Sequence, residues 1–230
     1  MLELDGVDGY YGRLRAIRDV SLAVDSGGVT ALVGRNGAGK TTTLRCAMGL
    51  TRAEGVVRLA GTDVSDLAPE ERAAAGLGWV PTNRHVFPDL TVEENLLMGF
   101  GRGAVDRDAI GRVYDAFPAL ADRAERDAGT LSGGERQMLV VGRALVRDPD
   151  VLLLDEPTEG LMPAMVDRIA EIVEDVAERG SGVLLAEQSL DRALRMSDDV
   201  VVLSDGEVVE RTTASRARDD PEIVRRHTSI

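Results

Sequence analysis

Cysteine occurs once in the 230 residues, at Cys46. No internal disulfide can form, and a lone thiol on a helix behind a glycine-rich loop reads as a packed core residue, not a reactive one. Lysine also occurs once, at Lys40, and every other basic side chain is arginine. No run approaches the ~18 apolar residues of a membrane-spanning helix, and the start Met1-Leu2-Glu3-Leu4-Asp5 lacks the basic n-region of a secretory signal. The expected location is cytoplasmic, with any membrane role supplied by partners. The chain shows no internal repeat and no low-complexity linker, and its length fits one domain over residues 1–230, with room for an embedded subdomain. Positive charge is scarce: 27 Lys+Arg face 40 Asp+Glu, a net charge of −13. That balance argues against a broad basic face and so against nucleic acid as a partner. A G+C-rich genome accounts for arginine over lysine but not for the acidic surplus, which suits a high-salt cytoplasm where screening relieves self-repulsion. The melting temperature is therefore expected to rise in molar KCl; an unchanged or lowered value would count against this.

Against these absences stands Gly34-Arg35-Asn36-Gly37-Ala38-Gly39-Lys40-Thr41, which matches the phosphate-binding pattern G-x-x-x-x-G-K-[ST]. Glycines let successive backbone N–H groups turn onto an anion, Lys40 reaches the β and γ phosphates, and the Thr41 hydroxyl suits Mg²⁺. Val29–Val33 reads as a buried strand before the loop, and Thr42–Met48 as a helix whose N-terminus faces the phosphates. Upstream, short apolar runs broken by Gly9-Tyr10-Tyr11-Gly12 and Ser26-Gly27-Gly28 predict antiparallel strands. Tyr11 is a candidate face for stacking an adenine. Pro69 opens a short helix ended by Gly76, and Leu77–Pro81 reads as a core strand in which Trp79 packs. The polar loop Thr82–Pro88 leaves that strand edge, where the oxygen of Thr82 or of Asn83 can reach Mg²⁺ or water near a γ-phosphate. His85 lacks partners at metal-ligand spacing and reads as a surface or hydrogen-bonded residue. Thr91-Val92-Glu93-Glu94 is a capping box, and from it to Thr130 the chain reads helical, with breaks at Gly99, Gly101, Gly103 and Pro118.

A second signal is Leu131-Ser132-Gly133-Gly134-Glu135-Arg136-Gln137, before an amphipathic helix with apolar Met138, Val141 and Leu145. A hydroxyl and two glycines at a helix start make an anion site by dipole and unpaired N–H groups, or simply a capped helix. The third signal is Val151-Leu152-Leu153-Leu154, a continuous apolar run typical of a parallel strand buried on both faces, which delivers Asp155 and Glu156 at its carboxyl end. Asp155 suits Mg²⁺ and Glu156 suits an attacking water. A helix from Pro163, with Val166, Ile169, Val173 and Val176 on one face, leads to the strand Val183–Ala186. That strand brings Gln188 to the same sheet edge as Glu156. A hairpin over Val200–Val209 and a charged tail from Arg216, a terminal helix or a frayed end, follow.

In this order and spacing, Gly34–Thr41, Leu131–Gln137 and Val151–Glu156 resemble the ATP-binding subunits of ABC transporters. The resemblance covers essentially the whole chain. It implies an α/β fold: a P-loop NTPase core of RecA-like type, an N-terminal antiparallel β subdomain and an inserted α-helical subdomain at about 83–145. It also implies ATP and Mg²⁺, and a head-to-tail dimer. There the loop of one subunit (Gly34, Asn36, Gly37, Ala38, Gly39, Lys40, Thr41 and Thr42, with Tyr11 on the adenine) and Ser132, Gly133, Gly134 and Glu135 of the other clamp each ATP. Lys40, Glu156 and Gln188 take the catalytic positions, and Thr41, Asp155 and Thr82 the metal positions. Most relatives carry glutamine at Thr82, histidine at Gln188, and Ser-Ala-Leu-Asp where this chain has Thr158-Glu159-Gly160-Leu161-Met162. With Val80-Pro81, Arg84, Val86-Phe87, Thr91–Leu96 and Ala186-Glu187-Gln188, these features are similar to the ATPases of branched-chain amino acid importers. The implied partners are two membrane permease subunits, a second ABC ATP-binding subunit (identical or not) and an extracytoplasmic solute-binding protein, with the chain peripheral on the inner face of the cell membrane. Importers of urea or short amides share much of the pattern, and an export ATPase is a further rival. A soluble ABC ATPase of repair or translation is the rival outside transport, but such proteins usually carry tandem domains or long coiled coils, for which this chain has neither room nor heptads.

Overall fold

Apolar residues fall at every second position in Leu2-Glu3-Leu4 and Val20-Ser21-Leu22-Ala23-Val24, and antiparallel strands β1 (Leu2–Tyr11) and β2 (Leu14–Val24) form there. The computed structural model describes residues 1–101 and 103–228. Next come β3 (Val29–Val33), α1 (Lys40–Met48), β4 (Arg52–Leu59), β5 (Thr62–Asp63), α2 (Pro69–Ala74) and β6 (Leu77–Val80). Helices α3 (Val92–Met98), α4 (Arg107–Ala116), α5 (Pro118–Ala121) and α6 (Gly133–Leu145) follow, then β7 (Val151–Asp155), α7 (Pro163–Glu178), β8 (Gly182–Glu187) and α8 (Leu190–Met196). The hairpin β9 (Asp199–Ser204) and β10 (Glu207–Thr213) and helices α9 (Ala214–Asp219) and α10 (Glu222–Thr228) end the described chain.

Two sheets result among the described residues. One is antiparallel, in the order β2-β1-β4-β5. The other runs β10-β9-β3-β8-β7-β6, parallel from β9 to β6 with β10 as an antiparallel edge. Its central strands are apolar throughout because both faces are covered. Along β7, Val151 and Leu153 join a core with β1, β2 and α1, whereas Leu152 and Leu154 join one with α3, α4, α6 and α7. Ala31 and Val33 of β3 pack on α8, α9 and α10, which anchors the charged tail through Ala214, Ala217 and Val224. The parallel register sets Val33 beside Glu187, Asp155 beside Ala186 and Val80 beside Leu154. Four strands therefore finish level at one edge, and the loops that leave them share a small volume.

One sequence expectation needs correction. Of the apolar set Met138, Val141 and Leu145 on α6, only Val141 is buried; Gln137, Leu139, Val140 and Gly142 make up the rest of the hidden face. The helix is wedged against α3, α4, α5 and β6, and at Gly142 a Cβ would lie 2.7 Å from the Val113 side chain. The expected break at Pro118 is present: α4 ends at Ala116, Phe117 leaves the helical conformation at φ −131°, and Pro118 starts α5, where its missing N–H costs nothing. Trp79 is half-buried against the core shared with β1 and β2.

Helix α1 is capped by a side chain at one end only. Its first turn has no side-chain cap, which leaves N–H groups free. At its other end Arg72, 3% exposed, donates to the carbonyls of Cys46 and Ala47 at 2.8 Å each, Ser65 at 2.5 Å and Leu67 at 3.1 Å. A cation on the last carbonyls also opposes the helix dipole. Arg72→Ala would strand these buried acceptors, so urea unfolding is expected to show a loss of roughly 2–4 kcal/mol. A loss below about 1 kcal/mol would contradict the capping role. Cys46, fully buried on the same helix, has its thiol pushed up to about 12 by burial, as a packed core residue should.

Candidate active site

Val33 leads into Gly34–Thr41, and the loop wraps back on α1. Its tightness rests on two glycines: Gly39 sits at φ +107°, with an added Cβ falling 2.6 Å from the Ile17 side chain, and at Gly34 a Cβ would lie 2.4 Å from the Leu203 carbonyl oxygen. The cavity above the loop holds about 340 Å³ and is lined by Ala16, Asn36, Gly37, Gly39, Lys40, Thr41, Thr42, Thr82 and Glu156. Four of the remaining predicted residues stand beside it. Gly34 points its carbonyl at Lys40, Ala38 is buried with its carbonyl on the Gly206 N–H, and Asp155 lies under Thr41. Tyr11, 42% exposed at the end of β1, places its hydroxyl 3.5 Å from the Thr42 hydroxyl and 3.2 Å from Arg45.

Lys40 is 4% exposed, and its ammonium has three oxygen partners: the Gly34 carbonyl at 2.8 Å, the Arg35 carbonyl at 3.2 Å and Glu156 Oε1 at 3.1 Å. Three donors are thus matched by three acceptors. Glu156 adopts φ +49°, a conformation that a non-glycine residue holds at a cost, and its N–H donates to the Ala186 carbonyl at 2.9 Å. Asp155 is 1% exposed and accepts from the Thr41 hydroxyl at 2.9 Å. Burial pushes its carboxyl above the usual range, while the Thr82 and Thr41 hydroxyls pull it down. Thr82 therefore shares the cavity with Thr41 and Glu156, whereas Asn83, its sequence competitor, is exposed and off the lining. Beyond Glu156 a second cavity, of about 700 Å³, is lined by Gln188, Glu187 and Arg192 and by residues of α10. Glu156 borders both.

Residues 17–159 match the family model described as ABC transporter. The high-affinity branched-chain amino acid transport ATP-binding protein BraG of Pseudomonas aeruginosa is 40% identical over 97% of each chain. The chain belongs to the ABC transporter family. The probable branched-chain amino acid transport ATP-binding protein LivF of Archaeoglobus fulgidus is also 40% identical, over 94% of this chain and 93% of its own. Among solved structures, the ATP-binding cassette MJ0796, a dimer in a post-hydrolysis state bound to ADP and Pi, superposes with a TM-score of 0.82 at 25% identity, over 93% of this chain and 99% of that one.

Within the ABC family frame, the Ser132–Glu135 segment lines neither cavity of its own chain. It starts α6 as a full capping box: Ser132 Oγ accepts from the Glu135 N–H at 3.3 Å, and Glu135 accepts from the Ser132 N–H at 2.8 Å. That backbone donor holds the Glu135 carboxyl below the usual range, with Arg123 at 3.0 Å adding to it. Ser132 and Gly133 are exposed, with the face of the helix start open to solvent. Sequence reasoning missed the polar residues that tie these loops together. Arg84 Nε donates to the buried Gln137 at 3.1 Å and its guanidinium also reaches the Glu159 carbonyl. Thr158 and Glu187 are hydrogen-bonded to each other. A carboxylate closing the apolar run Val183–Ala186 was the one available signal for Glu187.

Proposed function

We propose that this chain is the ATP-hydrolysing subunit of an ABC importer for branched-chain amino acids. The observation that carries the reading is the meeting of Lys40, Thr41, Thr82 and Glu156 around one cavity, with Asp155 directly beneath. The substrate class rests on the near full-length likeness to BraG and LivF. ATP binds with its phosphates on the loop amides and the free N–H groups of α1, and Lys40 turns from Glu156 to the β and γ phosphates. Mg²⁺ fits the donor set, since the Thr41 hydroxyl, the Thr82 hydroxyl and the buried Asp155 carboxylate are hard oxygens that converge. When bound there, it would supply positive charge that offsets the negative charge of the phosphates. Glu156, released by Lys40, takes the proton of the attacking water, and Gln188, a neutral amide that can donate but not titrate, positions the γ-phosphate. Tyr11 stacks the adenine.

The capped, outward-facing Ser132–Glu135 segment suits a second subunit's ATP, so the working unit is a dimer of ABC subunits, identical or not. Two permeases and an extracytoplasmic solute-binding protein complete the importer. Among the described residues no helix is long and apolar enough to cross a membrane; as with the transporter subunits it resembles, the chain's place is peripheral on the inner face. Its permease contact lies near Phe87–Glu94. Phe87 is 44% exposed, and the buried Asn95 fixes that loop by accepting from the Phe87 N–H at 2.8 Å and donating to the Phe87, Leu90 and Thr91 carbonyls. The test is uptake of labelled leucine, against labelled urea, by the complex reconstituted in vesicles. ATP-dependent leucine uptake is expected; urea uptake without leucine, or transport in the export direction, would overturn the reading.

A further inference from the structure

Glu187 is 2% exposed and Thr158 fully buried, and the Thr158 hydroxyl donates to Glu187 Oε1 at 2.5 Å. Arg192 of α8 donates to the Thr158 carbonyl at 3.0 Å and to its hydroxyl at 3.2 Å. Burial holds the Glu187 carboxyl above its ordinary range, and Thr158 and Arg192 oppose this while the charge of Glu156 adds to it. An apolar side chain of similar size would avoid the desolvation of a carboxylate here, so packing alone does not explain the residue. Its location does. Thr158 lies two residues after Glu156, and Glu187 immediately precedes Gln188. The backbone makes the same connection, with the Glu156 N–H on the Ala186 carbonyl at 2.9 Å. Glu156 sits at φ +49°, a conformation that neighbouring contacts must hold.

We propose that the Thr158–Glu187 hydrogen bond, backed by Arg192, is a latch that positions Glu156 relative to Gln188, so that base and amide address one γ-phosphate. Glu187 and Thr158 are positioning residues: neither lines the nucleotide cavity, and Glu187 acts from the cavity behind Glu156. The inference rests on the reading of this chain as an ATPase. It predicts a kinetic signature that simple loss of packing would not produce, because the latch affects geometry at the reacting water and not the contacts that hold ATP.

The test compares Thr158→Val, Thr158→Ser, Glu187→Met and the double variant Thr158→Val/Glu187→Met. Each is measured for ATP hydrolysis in the assembled transporter and for binding of a fluorescent ATP analogue by the full chain. Thr158→Val is expected to lower kcat roughly 10- to 100-fold, the scale of a small misplacement of reacting groups, with nucleotide affinity within about twofold of the parent. Thr158→Ser keeps the hydroxyl and should restore most of the rate. Glu187→Met should come close to Thr158→Val, which also loses the Arg192 contact to the hydroxyl, and the double variant should fall no further than Thr158→Val, since both singles break the Thr158–Glu187 bond. If Thr158→Val does not fold, Glu187→Met, which keeps the side-chain length and removes the acceptor, carries the same expectation. A parental rate in Thr158→Val, affinity falling in step with rate, or Thr158→Ser as impaired as Thr158→Val would each overturn the latch alone. A parent chain that binds no ATP would overturn the functional reading and the latch with it.

Discussion

Glu156→Gln is expected to bind ATP at least as well as the parent and to hydrolyse it about 10²- to 10⁴-fold more slowly, the range associated with loss of a general base. Both halves follow from the same contact. Glu156 Oε1 lies 3.1 Å from the Lys40 ammonium, and the two side chains are only 14% and 4% exposed. An arriving phosphate must draw Lys40 away from this internal partner. The amide of glutamine attracts a cation less strongly than a carboxylate does, so the competition for Lys40 weakens and binding is preserved or improved. Hydrolysis fails for a different reason: an amide cannot take a proton from water. Volume and hydrogen-bonding reach are nearly unchanged, so the bond from the residue 156 N–H to the Ala186 carbonyl and the φ +49° turn should survive. Single-turnover hydrolysis and equilibrium binding separate the two effects. Hydrolysis at the parental rate would remove Glu156 from the role of base.

Lys40→Arg is expected to weaken ATP binding roughly tenfold or more although the charge is kept. The lysine head group sits among the Gly34 carbonyl, the Arg35 carbonyl and Glu156 at 2.8–3.2 Å, one acceptor for each N–H. A guanidinium is planar and wider, and its donors form a fixed fork. The loop cannot widen to admit it, because Gly34 is pressed on the Leu203 carbonyl and Gly39 on Ile17. Titration with a fluorescent ATP analogue checks this, and parental affinity in the arginine variant would refute it. The composition carries the same message: in a chain otherwise basic only through arginine, this one position keeps lysine.

Much of this was legible before any fold was known. Gly34–Thr41 declares its chemistry locally, since glycine spacing, lysine and threonine act within one turn of chain. Val151–Leu154 announces a strand covered on both faces, and the alternate packing of its side chains into two cores is the reason. The face of α6 was less legible, because Met138, Val141 and Leu145 mark a narrow stripe whereas the helix is enclosed from several sides. Asn83 and Thr82 could not be ranked from sequence, since adjacent residues on a loop differ in direction and direction is set by what the loop packs on.

By itself the sequence determined the parts: a phosphate loop, a carboxylate pair at a strand end, a capped helix start, and one lysine among arginines. Those are short-range properties of residue type and spacing. The tertiary structure decided which parts meet. Parallel pairing of β6, β7, β8 and β3 brings residues 82, 155–156, 187–188 and the loop from Gly34 to one sheet edge. It also decided that Lys40 pairs with Glu156, that Arg72 closes α1, and that Thr158 meets Glu187 although 29 positions separate them. Long-range hydrogen bonds between single polar residues leave no periodic trace in a sequence, because their partners are chosen by strand order and register.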